Sequence, residues 1–514
     1  MSKRTYKDAI NALNSLQSNY NSIELKKLNN SLPKDALINE VYDCIKRLNY
    51  KPKDFNKLNL IHITGTKGKG STCAFTESIL LNYLKKSDNS NINHTINKIG
   101  LFTSPHLKTV RERIRINGNS INEPIFTKYF FEVWDKLSET TSDSNEKIAS
   151  NQDNAEPSNH NESVKLPMYF KFLTILSFHV FMREGVDTAI YEVGVGGTYD
   201  STNIIDKPTV TAITALGIDH VFMLGNTIES ITWNKTGIFK KGCDAIVSNQ
   251  IDYPQANKLI EERAQEIGVS SLTFVNHNLV PSHVKLGLMG DFQYQNASLA
   301  IKIATLHLKK LGFPNDNLPT FNDEGYLNDD LPDQFIKGLQ NVVWPGRCQL
   351  ISSDPRLNWY IDGAHTIESI KVASNWFKQT MDKKRVNVLL FNQQSRENSD
   401  ELLTTLFNIL SPDVKFDHAV FTTNVTWSSG DYSPDLVSMN SSKEQVEKLQ
   451  IQKKLAQTWS DLESSKSPKS RKHLFHDIET SVNFIKSLSD DSEINVFVVG
   501  SLHLVGGVLV VLDE

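Results

Sequence analysis

Cysteine is scarce. The chain of 514 residues has four, Cys44, Cys73, Cys243 and Cys348. No two stand close enough to form a CxxC pair, which argues against a zinc module or a disulfide-built secreted scaffold and fits a reducing compartment. No apolar run approaches the ~18 residues of a membrane span. A basic excess is also lacking. Lys+Arg is 55 against 59 for Asp+Glu, a formal net charge of −4, so no nucleic-acid-coating protein is expected. The start, Met1 to Asp8, has neither the apolar core of a signal peptide nor the Arg-rich, acid-poor makeup of an organellar leader. The expected location is cytoplasmic, and a mitochondrial pool would need another start site. What is present is ordinary globular material, 39% hydrophobic and 22% charged. At roughly 150 residues per domain, this length predicts about two to four domains.

Apolar residues at three-to-four spacing predict helix over much of 5–50. A strand over Leu58–Thr64 runs into a glycine-rich turn and then a helix from Thr72 to about Leu84. Further strands are predicted at Thr188–Val193, Thr209–Leu216 and Ala245–Val247, with helices near Met168–Met182 and from Pro254. Apolar strands alternating with helices imply a parallel sheet buried on both faces. Residues 87–98 are Asn/Ser-rich, 138–163 are rich in Ser, Asn, Asp and Glu, and both read as disordered insertions. An Asn/Asp/Pro-rich stretch at 316–333 places a boundary near 340. Strands then recur at Gln349–Ser352, Trp359–Asp362, Val386–Phe391, Ala419–Thr422 and Asn495–Val499. The Lys/Ser-rich run Ser464–Lys472 reads as a solvated loop. The expected fold class is α/β: a P-loop-containing parallel-sheet ATPase domain over 1–340, then a smaller Rossmann-like domain over 341–514.

The main chemical signal is Gly65-Thr66-Lys67-Gly68-Lys69-Gly70-Ser71-Thr72. Between a strand and a helix, glycines let backbone N–H groups turn inward, the helix start adds partial positive charge, and Lys69 adds a full one. The spacing departs from the common Walker form, because Gly70 stands where a metal-binding Ser or Thr would be. Oxygen ligands for Mg²⁺ must then come partly from elsewhere. Glu192, at the end of one strand, and His220, past the end of another, are in reach by topology. On the residues alone Glu192 is equally a cap or surface carboxylate, and a hydrogen-bonded structural role is the more common one for His220.

Several motifs occur in order: Gly65–Thr72, Phe102-Thr103-Ser104-Pro105-His106-Leu107, Arg111–Gly118, Glu192–Gly197, Leu216–His220, Trp344-Pro345-Gly346-Arg347, Asp362-Gly363-Ala364-His365 and Gly500–Gly507. Together they resemble the folylpolyglutamate synthases of the Mur-ligase-like superfamily of ATP-dependent amide ligases. The resemblance runs from about Arg4 to the C-terminus, interrupted by the two insertions.

The resemblance implies that ATP phosphorylates the terminal γ-carboxylate of a reduced folate and that the amine of L-glutamate attacks the acyl phosphate. It implies ATP and Mg²⁺ as cofactors, allows a monovalent cation such as K⁺, and makes a monomer the default. Carried over motif by motif, Gly68, Lys69, Gly70 and Ser71 hold the phosphates, and Asn296, Arg347 and Asp362 contact the nucleotide. Ser104, Glu192 and His220 hold the metal. Lys69, Lys235 and His365 form the catalytic group, with Lys235 at a position that family members often carbamylate. Phe292 stands where the family commonly has His, which leaves the role of that imidazole open. The rival readings are dihydrofolate synthase, alone or as a second activity, and, more remotely, a cell-wall Mur ligase or a non-catalytic nucleotide-binding module.

Overall fold

The computed structural model describes residues 4–17, 34–85, 96–140, 166–394, 398–432, 434–436, 447–464 and 469–513. Two sheets organise it. The first contains β1 (Ile61–Thr64), β2 (Ile99–Phe102), β3 (Ile114–Ile116), β4 (Asn119–Ser120), β5 (Thr188–Glu192), β6 (Val210–Ile213), β7 (Asp244–Ser248) and β8 (Ser271–Val275), in the order 4-3-2-5-1-6-7-8. Six of these strands run parallel, and β3 and β4 add an antiparallel edge. The second sheet contains β9 (Gln349–Asp354), β10 (Leu357–Ile361), β11 (Val386–Phe391), β12 (His418–Phe421), β13 (Arg471–Leu474) and β14 (Ile494–Val499), in the order 13-12-11-14-10-9. Only β9 is antiparallel there. The parts built on the two sheets are called the first and second lobes below.

Central strands such as β1, β2, β5 and β6 are buried at every position. That follows from helices on both faces of a parallel sheet. The helices Lys69–Leu81 and Phe292–Lys310 cover one face of the first sheet through Phe75, Ile79, Leu299 and Ile303. Glu123–Glu139 and Tyr169–Glu184 pack on the other through Phe126, Phe130, Phe172 and Phe178. The second sheet is clothed in the same way, by Ile367–Thr380, Ser399–Leu410 and Gln450–Leu462 on one side and by Ile478–Leu488 and Leu502–Leu512 on the other. All four cysteines are buried and unpaired. No helix among the described residues is long and apolar enough to cross a membrane.

The structure corrects several expectations. The helix expected from Thr72 begins at Lys69, so the glycine-rich segment is itself its first turn. Residues 52–58 form a 3₁₀ turn, which delays β1 to Ile61. Of the expected insertion at 87–98, residues 96–98 are packed against the first lobe. Ile96 bridges Leu84, and Asn97 and Lys98 bond Asp187 through their backbone N–H groups. Of the one expected at 138–163, Ser138 and Glu139 instead complete the helix Glu123–Glu139. The remainders of both expected insertions, at 87–95 and 141–163, lie outside the described residues. The run read as a loop at Ser464–Lys472 ends in a strand, with Arg471 and Lys472 opening β13. An edge strand paired on one side tolerates such charge.

Candidate active site

Strand order builds the site. With β2, β5, β1 and β6 adjacent and parallel, their carboxyl ends bring four loops into one row. These carry Ser104 after β2, Glu192 at the end of β5, Gly65–Gly68 after β1, and Gly217–His220 after β6. This is where open α/β sheets place ligands.

The glycine-rich loop is held tightly. Gly68 has φ +85° and caps the helix. A Cβ on it would lie 2.2 Å from Asn296 Oδ1. Asn296 is buried and donates to Gln293 Oε1 at 2.9 Å, and Gln293 donates to Ser71 Oγ at 3.3 Å. Asn296 therefore braces the loop that it was expected to share with the nucleotide. Gly70 is covered by Trp344, whose indole Nε1 would be 3.2 Å from a Cβ there.

Two lysines meet under this loop. Lys69 Nζ donates to the Gly65 carbonyl at 3.1 Å, and Lys235 Nζ donates to the same oxygen at 2.7 Å. Lys235 is buried. Burial, aided by the charge of Lys69, holds its ammonium well below the usual lysine range, which favours the neutral amine.

Glu192 is buried, and its Oε2 accepts the Ser104 backbone N–H at 2.9 Å. Burial raises its pKa, opposed by Lys69, the Ser104 N–H, Arg347 and Arg113. A carboxylate taken out of water at the mouth of a phosphate cradle suits a divalent cation. A Ser104 hydroxyl and a Glu192 carboxylate are oxygen donors of the kind Mg²⁺ takes, with water able to complete the shell. The structure brings Ser104 and Glu192 into contact. His220 is exposed on the turn after β6, with φ +51° and its N–H on Asp219 Oδ1 at 2.8 Å.

The second lobe faces this row. Asp362, at the end of β10, is buried and accepts the Cys348 N–H at 2.7 Å. Burial raises its pKa, and Arg347 opposes the rise. Arg347 also acts electrostatically on Glu192, which places a cation of the second lobe within range of the first-lobe carboxylate. His365 Nδ1 bonds the Gly363 carbonyl at 2.8 Å, and Gly363 itself lies against the Arg347 guanidinium. Direct bonds join the lobes as well. Lys67 Nζ, from the glycine-rich loop, donates to Thr366 Oγ1 at 2.8 Å and lies 3.7 Å from Asp219. Thr366 is the cap of the helix that follows His365.

Sequence reasoning missed Lys67, Thr366 and the packing role of Trp344. The lysine was visible in the glycine-rich segment, but its partner Thr366 lies 299 residues further along the chain, and no local pattern reports it. Phe292 packs against the second lobe's apolar cluster of Tyr360, Ala364 and Ile370. An aromatic side chain at this position thus serves the lobe contact.

Comparison with known proteins gives one answer. Residues 349–511 match the family model described as dihydrofolate synthetase, C-terminal domain. A folylpolyglutamate synthase of Candida albicans is 60% identical over 523 residues, covering 100% of this chain and 97% of that protein. One from Saccharomyces cerevisiae is 47% identical over 512 residues, covering 99% and 87%. Among solved structures, Mycobacterium tuberculosis folylpolyglutamate synthase complexed with ADP superposes with a TM-score of 0.67 at 21% identity, covering 99% of each chain. The apo form of L. casei FPGS gives 0.67 at 20%, covering 99% of this chain and 100% of that one. At such identity the structures speak for the fold, and the two fungal relatives, matched along nearly their whole length, decide the family. With its ordered motifs, its glycine-rich cradle and its paired Ser104 and Glu192, the chain belongs to the folylpolyglutamate synthase family.

Proposed function

We propose that this chain is an ATP-dependent, ADP-forming ligase that adds L-glutamate in γ-linkage to reduced folates. Its product would be a folylpolyglutamate, retained in the cell for one-carbon metabolism. The observation that carries the reading is one row of carboxyl-terminal loops holding Lys69, Ser104 and Glu192, with Arg347 facing it from the second lobe.

The chemistry needs such a row. A carboxylate resists attack by an amine because its leaving group is poor. Phosphorylation supplies a better one but crowds negative charges together, and fixed cations and N–H groups relieve that repulsion. In this reading Gly68, Lys69, Gly70 and Ser71 cradle the ATP phosphates, Asn296 fixes the loop beside the nucleotide, and Arg347 and Asp362 reach it from the second lobe. Ser104, Glu192 and His220 would hold Mg²⁺, which when bound neutralises phosphate charge. Lys235, kept as a neutral amine, is suited to carbamylation, which would turn it into an anion. Intact mass measured before and after mild acid checks that point. His365 lies beside Arg347, where it can orient the incoming groups. A bound K⁺ is compatible with the same site.

Residues 1–340 act as the ATP-binding domain and 341–514 as the domain that closes on it, shielding the acyl phosphate from water. A cytoplasmic monomer is the expected form. Dihydropteroate glutamylation is the second reading, kept because the matched family model bears the dihydrofolate synthetase name. The near-full-length relatives favour folate extension. Mass spectrometry of tetrahydrofolate incubated with protein, ATP, Mg²⁺ and glutamate should find successive added glutamyl units. A parallel reaction on dihydropteroate separates the two readings, and no product from either substrate sinks both.

A further inference from the structure

The loop between β2 and β3 starts at Ser104 and ends at Arg113, and both ends belong to the row described above. Its middle is lodged in the other lobe. Leu107 is buried in the second lobe's apolar cluster with Leu504, Val505 and Ile361. Two glycines admit it: a Cβ on Gly506 would lie 2.0 Å from the Leu107 carbonyl oxygen, and one on Gly346 would lie 2.9 Å from Leu107 Cδ1. The loop is also stiff. The Glu112 carboxylate collects the N–H groups of Leu107, Lys108 and Thr109 at 2.8, 2.9 and 2.9 Å, so a pull at one point is carried along it.

A single residue of the second lobe, Asp435, holds this loop at two places. Its Oδ1 accepts the Val110 N–H at 2.8 Å and the Tyr6 hydroxyl at 2.7 Å. Its backbone carbonyl meets His106 Nε2 at 2.8 Å, and Arg113 Nε donates to His106 Nδ1 at 2.8 Å. A carbonyl only accepts and a guanidinium only donates, so the ring is the Nε2–H tautomer and both its nitrogens are committed. Arg113 is buried, lies over the Tyr169 ring at 5.6 Å, and acts electrostatically on Glu192. The line from Asp435 thus reaches the carboxylate that also receives the Ser104 N–H.

We propose that Asp435 is a positioning residue: from the second lobe it holds the Ser104–Arg113 loop, through Val110 on one side and through His106 and Arg113 on the other, in the form that keeps Ser104 against Glu192. The proposal rests on the functional reading above for its consequence in catalysis, but not for its geometry. Asp435→Ala removes the Oδ1 that accepts from both Val110 and Tyr6 and leaves the backbone carbonyl on His106 in place. Asp435→Asn keeps an oxygen able to accept from both donors.

The test compares wild type, Asp435→Ala and Asp435→Asn in two measurements. In hydrogen exchange of the nucleotide-free protein, the amides of 106–110 should exchange about tenfold faster in the Ala variant, the yield of losing one to two hydrogen bonds, with the helix Lys69–Leu81 unchanged. In calorimetry with ADP, the ratio of affinities with and without Mg²⁺ should fall about threefold to tenfold for the same reason. Asn should restore both readouts. A merely structural role would lower the melting temperature while leaving the Mg²⁺ ratio alone. Unchanged exchange at 106–110 with an unchanged Mg²⁺ ratio in folded Asp435→Ala overturns the proposal, and so does failure of Asn to restore them. Should the Ala variant not fold, Tyr6→Phe, which removes one of the two donors, must move both readouts in the same direction by about twofold, and no movement overturns it. Wild type that adds no glutamate to folates would sink the functional reading while leaving the exchange result standing.

Discussion

At the scale of single residues, Gly68 concentrates two constraints. Its φ of +85° lies in the left-handed region, and a Cβ would meet Asn296 Oδ1 at 2.2 Å. Ala at this position costs about 1–2 kcal/mol for the backbone alone, and Asn296 cannot retreat freely because it is buried and bonded to Gln293. Gly68→Ala should therefore weaken ADP binding more than tenfold, an estimate of about 1.4 kcal/mol per decade, while the rest of the protein stays folded. Calorimetry and circular dichroism together check this, and intact ADP affinity would contradict it. Arg347 gives the second expectation at this scale. Its charge acts on both Asp362 and Glu192. Loss of a charged contact of about 1.5–3 kcal/mol predicts a tenfold to hundredfold fall in kcat/KM for ATP in Arg347→Ala. Unchanged steady-state kinetics would refute a nucleotide contact from the second lobe.

At the scale of elements, most central strands were legible because buried parallel strands are rich in apolar residues, and β5, β6, β7, β10, β11, β12 and β14 all lie where apolar runs placed them. Strands β2, β3, β4, β8 and β13 were not. Ser271–Val275 alternates exposed with partly buried positions, and Arg471–Leu474 carries charge, since each edge strand is paired on one side. The motif glycines and Lys69 could be read locally. The support beneath them could not, because Asn296, Trp344 and Thr366 reach the loop only through tertiary packing. Strand β1 and the helix Phe292–Lys310 also set a pH response. His62 Nε2 bonds Thr202 Oγ1 at 2.8 Å, His307 Nδ1 bonds Thr209 Oγ1 at 2.8 Å, and burial lowers both pKa values to about 3. Both rings are neutral in the fold but take up a proton near pH 6.5 once unfolded. Their contribution is complete above that pH and falls as pH drops, by about 1.4 kcal/mol per pH unit for each ring until about pH 3. Urea denaturation at pH 7 and pH 5 should show a loss of about 4 kcal/mol from the pair, which is an upper figure. The slope should be roughly halved in His307→Asn. An undiminished slope would mean that His307 is not held neutral.

At the scale of the whole molecule, the lobes meet through polar bonds at Lys67 and Asp435 and through apolar insertion at Leu107 and Phe292. The glycine-rich loop is thus tied directly to the second lobe through Lys67 and Thr366. Lys67→Met should loosen that coupling, raising KM for ATP by about threefold to tenfold through loss of a charged bond while leaving the melting temperature nearly unchanged. Equal KM values would count against it. The buried thiols have a consequence of their own. Cys73 sits within the first lobe's helix and Cys348 within the second lobe, and burial pushes both thiols upward from their ordinary range. Native protein should resist alkylation, so each label acquired in gentle denaturant dates the moment its own half came apart. Peptide mapping of Cys73 against Cys348 then tells whether the two halves unravel in concert or one after the other.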